Sequence, residues 1–270
     1  MTRRLPPRLA FLAVSLGLLL WGAFLAWCQS ERADASAAWM TSAEIIEGPG
    51  GPLLCIAAGE GPAVLVFHDA PGGVDTAWQA SRFLTEQGFR VLAFSRPGYP
   101  GSPLRKSPQA LTRDVMAILN SEDIAQTAVL AIGEGAWDAR EFAATHPEKI
   151  SSLVFAGTPG AEQSSAAWRL RKNLPVGEPS LRRDGWKRDS TRARAPAAPL
   201  PESLAVLCLS GAEDTLANPS TMRRDLGLPS STRQAVIPAA GHFLFEGTGS
   251  DNARAAVIQF FSANPPRCDG

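Results

Sequence analysis

At 270 residues, with 45% hydrophobic and 19% charged side chains, the chain can bury the core of one large globular domain plus an appendage. Its 26 basic and 26 acidic residues cancel, so the overall charge carries no nucleic-acid signature. Four cysteines and three histidines, with no CxxC or other ligand spacing, argue against a metal site, and nothing in the sequence calls for a cofactor.

Residues 1–8 carry Arg3, Arg4 and Arg8, and nineteen uncharged residues follow from Leu9 to Trp27. At about 1.5 Å per residue that run spans a bilayer core, and Trp21 and Trp27 suit an interface. An uncleaved transmembrane signal-anchor is the favoured reading, because the run exceeds the ~7–15 residues of a signal-peptide core. A signal peptide cleaved near Ala33-Asp34-Ala35, or a lipid on Cys28, are the alternatives; Trp27 is large for the position before a lipidated cysteine. All three place the folded part outside the cytoplasm, and the arginines fix the orientation. Residues 28–42 then read as a linker.

From residue 43 onward, short strands and helices alternate. Weak strands at Ala43–Glu47 and Leu53–Ala57 flank Gly48-Pro49-Gly50-Gly51-Pro52, a hairpin turn. Ala63–Phe67 is a continuous apolar run, as in a strand buried on both faces, and leads into His68-Asp69-Ala70-Pro71-Gly72. A helix is expected from about Thr76 to Gln87, then a strand at Arg90–Phe94, the loop Ser95–Ser102 and a helix from Pro108 to Asn120. The strand Val129–Ile132 turns at Gly133-Glu134-Gly135 into a helix ending at His146-Pro147, and Ile150–Ala156 is a further buried strand. Later come the strand Leu204–Leu209, the loop Ser210–Asp214, a helix near Ser220–Leu226, the strand Gln234–Ile237, the loop Pro238–His242 and a helix from Asp251 to Phe261. Such alternation predicts an α/β fold, a mostly parallel central sheet flanked by helices. Cys55 and Cys208 fall within strands and read as small buried hydrophobes, while Cys268 lies in the polar tail, residues 263–270; bridges from Cys268 to Cys55 or Cys28 are allowed but not indicated.

Residues 158–202 break the pattern. Nine lysines and arginines and a cluster of prolines at 196–201 mark a short basic lid insertion over the strand ends. One short helix is expected near Ala166–Leu174. The rest reads as a loose, solvated surface segment, with an anionic ligand or lipid headgroups as the alternative use of its charge.

Taken in order, five pieces resemble the α/β-hydrolase superfamily over residues 43–262. They are the loop His68–Gly72, similar to the family's His-Gly-x-Pro-Gly loop with Asp69 at its first glycine, the loop Ser95-Arg96-Pro97-Gly98-Tyr99, the turn and helix ending His146-Pro147-Glu148-Lys149, the loop Gly211–Asp214, and Gly241-His242. The resemblance implies a base at His242, an acid at Asp214, and oxyanion-hole amides at Ala70 and Glu134. His68 and His146 take structural places. Serine chemistry needs a hydroxyl at the elbow apex, activated by an imidazole that a carboxylate orients. Counting back thirteen residues from His146, as the resemblance to the family pattern implies, places Gly133 at that apex, with Ala131 and Gly135 as the small neighbours two positions away. A register shifted by one would put Glu134 there, between the bulkier Ile132 and Ala136. Ser95, Ser102 and Ser210 lie in strand-end loops, but in the wrong places for a nucleophile. A similar glycine-rich apex occurs in the N-myc downstream-regulated family, which resembles hydrolases without their triad. The expectation is therefore a membrane-tethered hydrolase-like protein with a degenerate nucleophile position, binding a small-molecule ligand or a protein partner. The alternative is an enzyme that uses His242 and Asp214 as general base, or another serine, on a small ester, amide or carbonyl substrate.

Overall fold

The computed structural model describes residues 20–23, 43–105, 107–159, 179–192 and 198–267. Of the expected transmembrane run, residues 9–27, only the helical residues 20–23 are described; residues 1–8, Cys28, the linker to residue 42, the helix near Ala166–Leu174 and Cys268 lie outside the described residues. Among the described residues no helix is long and apolar enough to cross a membrane.

Eight strands form one sheet: β1 (Ala43–Gly48), β2 (Gly51–Ala58), β3 (Ala63–Phe67), β4 (Arg90–Phe94), β5 (Thr127–Ile132), β6 (Ile150–Ala156), β7 (Ala205–Gly211) and β8 (Arg233–Ile237). Their order across the sheet is β1-β2-β4-β3-β5-β6-β7-β8. β1 and β2 form the expected hairpin, with Gly48 opposite Gly51, and β2 runs antiparallel to β4. From β4 to β8 every pairing is parallel. The helices are α1 (Val74–Ser81), α2 (Pro108–Ser121), α3 (Gly135–Thr145), α4 (Arg183–Thr191), α5 (Pro219–Asp225) and α6 (Ser250–Ala263).

The central strands behave as their composition demands. All five residues of β3 are buried, because a parallel strand covered on both faces has no solvent side. Phe67 at its end meets Phe94 edge-on at 5.1 Å and Phe142 of α3 at 6.4 Å, which joins β3, β4 and the elbow helix in one core. Cys55 and Cys208 are buried free thiols, and burial pushes both up to about 12, so they pack as hydrophobes.

Two expectations change. The helix placed at Thr76–Gln87 starts at Val74 and gives way after Ser81 to a tighter turn, Arg82–Gln87, closed by the left-handed Gly88. The basic insertion is not simply a solvated surface. Within it, α4 carries no apolar stripe, yet it docks through ions: Asp189 is buried, Arg188 and Arg192 reach the buried Asp138, and Arg182 just before the helix reaches Asp75 of α1. Part of the positive charge expected to be solvated, or in the alternative to face an anionic ligand or lipid headgroups, is consumed inside the fold.

The edge hairpin is secured separately. The Gly50 amide donates to Asp114 Oδ1 of α2 at 2.8 Å, and Arg105 binds the other oxygen of the same carboxylate. A Cβ on Gly50 would fall 2.7 Å from Asp114 Oδ2, so the turn approaches α2 this closely only as glycine.

Candidate functional site

Because β3 and β5 to β8 are parallel, the loops after them emerge at one edge of the sheet, the usual place for a site in such folds. The loop after β3 delivers Asp69, the turn after β5 delivers Gly133, and the turn after β6 delivers Gly157. The loop after β7 carries Asp214, and the loop after β8 carries His242. Asp69, Gly133, Gly157 and His242 line one cleft, otherwise walled by residues such as Ile132, Ala156, Phe243 and Phe245.

The turn after β5 is a sharp elbow. Gly133 sits at its apex with φ +52°, and its amide donates to Ala156 O at 3.0 Å. Glu134, with φ −66°, already has right-handed helical backbone, so the left-handed residue is Gly133. Left-handed backbone is strained for most side chains and comfortable for glycine. Gly135 next to it is equally constrained: a Cβ there would lie 2.5 Å from the carbonyl oxygens of Phe67 and His68.

The acid–base pair expected from the sequence is assembled. His242 Nδ1 lies 2.9 Å from Asp214 Oδ2. Since a carboxylate only accepts, the proton in that bond belongs to Nδ1. The amides of Leu216 and Ala217 donate to Asp214 Oδ1 at 2.8 and 3.0 Å. Burial alone would raise the Asp214 carboxyl, but the His242 hydrogen bond and charge, then the two amides, hold it below its usual value. The pair has what is needed to orient an imidazole. Opposite it, at the elbow, there is no side chain.

The amide of Glu134, expected as an oxyanion donor, is engaged from within. It donates to Asp69 Oδ1 at 2.8 Å. Asp69 is only 4% exposed, and a Cβ built on Gly133 would lie 1.9 Å from the same oxygen. Ala70, the other expected donor, is buried beside it in the loop. Asp69 was passed over in the sequence, where it stands at the glycine position of a loop pattern. The other serines do not replace the missing group. Ser95 is buried and accepts a hydrogen bond from the Val74 amide, Ser102 is buried and accepts one from the Leu54 amide, and Ser210 is buried at the end of β7.

His68 takes a structural place. It is fully buried, with Nδ1 2.6 Å from the Asp69 carbonyl and Nε2 accepting from the Arg96 amide at 3.0 Å. Burial, then the Arg96 charge, holds its pKa well below the ordinary histidine value, so the ring is neutral. His146, the other structural histidine, lies at the far end of α3, where its ring packs against Phe142 at 5.5 Å.

Arg96, from the loop after β4, anchors a second group of charges that sequence reasoning missed. The guanidinium is fully buried; it donates to Asp138 at 2.7 Å, to Asp189 at 2.6 and 3.1 Å, and to His68 O at 2.8 Å. Tyr99 donates its hydroxyl to Asp189 at 2.7 Å, and Arg188 and Arg192 of the insertion bind Asp138. Burial would raise the Asp138 carboxyl, but Arg188, Arg192 and Arg96 together hold it well below the carboxylate range. The signal was present in the elbow helix: an aspartate flanked by Trp137 and Ala139 on a buried face requires a cation. Among the described residues no group of three histidine, cysteine or carboxylate side chains is arranged to hold a metal ion.

Comparison with known proteins agrees with this fold. Residues 62–177 match a family model described as the alpha/beta hydrolase fold. No curated protein matches the chain. Among solved structures, an alpha/beta hydrolase fold protein from Nakamurella multipartita superposes with a TM-score of 0.66 at 20% identity, over 82% of this chain and 99% of that one. A meta-cleavage product hydrolase from Pseudomonas fluorescens gives 0.62 at 17% identity, over 82% and 97%. The carboxylesterase CesB of Bacillus subtilis gives 0.61 at 13% identity, over 82% and 91%. At these identities the likeness concerns the fold. With its eight-stranded sheet, its elbow between β5 and α3 and these neighbours, the chain has the alpha/beta-hydrolase fold.

Proposed function

We propose that this chain is a non-catalytic α/β-hydrolase-fold protein, tethered to a membrane by its amino-terminal segment, whose folded domain binds a ligand or protein partner outside the cytoplasm. The carrying observation is Gly133: the apex of the elbow has the left-handed backbone of a nucleophile position and offers no atom to attack with. Glycine is the replacement that relieves the strain of that backbone, by about 1–3 kcal/mol, once nothing requires a side chain there. The tether is supported by the uncharged run Leu9–Trp27 behind three arginines.

A second reading is favoured by one observation, the intact His242–Asp214 pair. In it, the imidazole acts as general base on bound substrate or water, with no covalent intermediate. Turnover of a panel of activated esters by the full chain in detergent, compared with His242→Ala, separates the two. The non-catalytic reading expects equal background rates; hydrolysis by the wild type that disappears in His242→Ala overturns it. For the tether, the full chain is expected to stay with membranes after alkaline carbonate washing, and a chain lacking residues 1–27 to be released. Release of the full chain would remove that part of the proposal.

A further inference from the structure

The loss of a nucleophile explains why nothing attacks at Gly133. It does not explain why a carboxylate stands there. Asp69 Oδ1, Cγ and Oδ2 lie 1.9, 2.1 and 2.7 Å from the position a Cβ on Gly133 would take. All three contacts are shorter than real Cβ atoms tolerate, so any L side chain at residue 133 and the Asp69 carboxylate claim the same volume. The same Oδ1 accepts the Glu134 amide at 2.8 Å, the donor that would meet the oxygen of an acyl group attacked at the elbow. Nor is the aspartate loosely placed. Its carbonyl is bound by His68 Nδ1 at 2.6 Å, and the other ring nitrogen of His68 is bound by the Arg96 amide at 3.0 Å. The backbone of Asp69 is thus held by a hydrogen-bonded histidine that is itself fully buried, and its side chain reaches the elbow to accept the Glu134 amide.

We propose that Asp69 is an internal plug, which fills the nucleophile's volume and occupies the oxyanion-binding amide of Glu134, so that Gly133 and Asp69 form one interdependent pair. This rests on the non-catalytic reading of the elbow and deepens it. The site is closed to acyl substrates twice, once by the missing side chain and once by a negative charge where an oxyanion would form. Replacing Gly133 alone therefore restores nothing. A serine there meets Asp69, and its attack would place a second negative charge beside the carboxylate. The plug also sets the ligand chemistry of the cleft: carboxylates, phosphonates and boronates are disfavoured at the elbow.

Four full-length proteins test the pair: wild type, Gly133→Ser, Asp69→Gly and the double variant, each treated with a fluorophosphonate probe and assayed on an activated ester. Only the double variant is expected to be labelled at position 133, and to turn over at least ~100-fold faster than Gly133→Ser, the cost of one lost oxyanion donor. Melting temperature gives a second readout: Gly133→Ser is expected to melt ~4 °C or more below wild type, and the same change in the Asp69→Gly background to cost much less. Labelling of Gly133→Ser as fast as of the double variant overturns the plug. A folded double variant that stays unlabelled also overturns it, because the obstruction then lies elsewhere. If the serine variants do not fold, hydrogen exchange at the Glu134 amide decides. Exchange at least ~10-fold faster in Asp69→Gly supports the plug, and an unchanged rate overturns it. Wild-type turnover that depends on His242 would sink the non-catalytic reading itself, and is scored separately from this four-way comparison.

Discussion

Two places at the carboxyl end of the sheet keep ionised groups away from water, and they treat them differently. Around Arg96 three guanidiniums and two carboxylates interlock across segments far apart in the chain, with the Tyr99 hydroxyl completing the set. At the elbow the carboxylate of Asp69 rests on one backbone amide, across the cleft from a histidine whose own acid is satisfied. In the first place each charge holds another segment in position, and removing one strands the rest. In the second, each carboxylate meets one neighbouring loop, Asp69 the elbow and Asp214 the loop of His242.

That contrast can be broken by mutation. The largest effect is expected for Asp138→Asn, which leaves Arg96, Arg188 and Arg192 together with only Asp189 to balance them. Breaking a buried charge pair costs about 3–5 kcal/mol, measured as a shift in chemical denaturation. A loss below about 1 kcal/mol would mean that water, not Asp138, carries those charges. Next comes Gly185→Ala. The Gly185 amide donates to Gly98 O at 2.8 Å, and a Cβ there would meet the Tyr99 ring at 2.5 Å. Overpacking at that contact is expected to cost about 1–3 kcal/mol and to expose α4 to proteolysis, with no charge altered.

The pH dependence sharpens the comparison further. His68 stays neutral in the fold, so below about pH 6.5 the unfolded chain binds a proton the native one refuses. Its contribution lowers stability by up to ~1.4 kcal/mol per pH unit as the pH falls from there, visible in melting curves between pH 7.5 and 5. Asp138 and Asp214 act lower. Both are held below their ordinary values, so their stabilisation is intact above about pH 4 and disappears as the pH falls towards their native values. The smallest effect is expected for His242→Ala, about 1 kcal/mol for one hydrogen bond. A loss of 3 kcal/mol or more would show that the His242–Asp214 pair holds the fold together.

The strands were legible because buried parallel strands are continuous apolar runs cut by glycine and proline, as at Ala63–Phe67 and Ile150–Ala156. Gly133 was legible because a fixed distance from the helix-terminal His146-Pro147 marks the apex. Asp69 was not. One aspartate at a glycine position of a loop pattern looks like drift until β3 and β5 are paired, Phe67 opposite Ala131, and the two loops meet. The basic insertion misled for a related reason. Counting its charge locally cannot find Asp138, some fifty residues earlier and on a different element. Helix α4 escaped notice because its burial is ionic, and hydrophobic periodicity has nothing to detect in Arg183–Thr191.

The edge hairpin has a mechanical consequence. The described chain enters the sheet at Ala43, the open end of the β1–β2 pair, with Ala43 opposite Ile56 and the turn at Gly48 and Gly51. A load arriving through the preceding residues meets the outermost strand first and peels its ladder one pair at a time, the direction of least resistance. The peeling runs towards Gly50, whose amide is pinned by Asp114 of α2, with Arg105 on the same carboxylate. β1 can therefore come away as a sacrificial link while the latch shields β4 and the elbow from the pull.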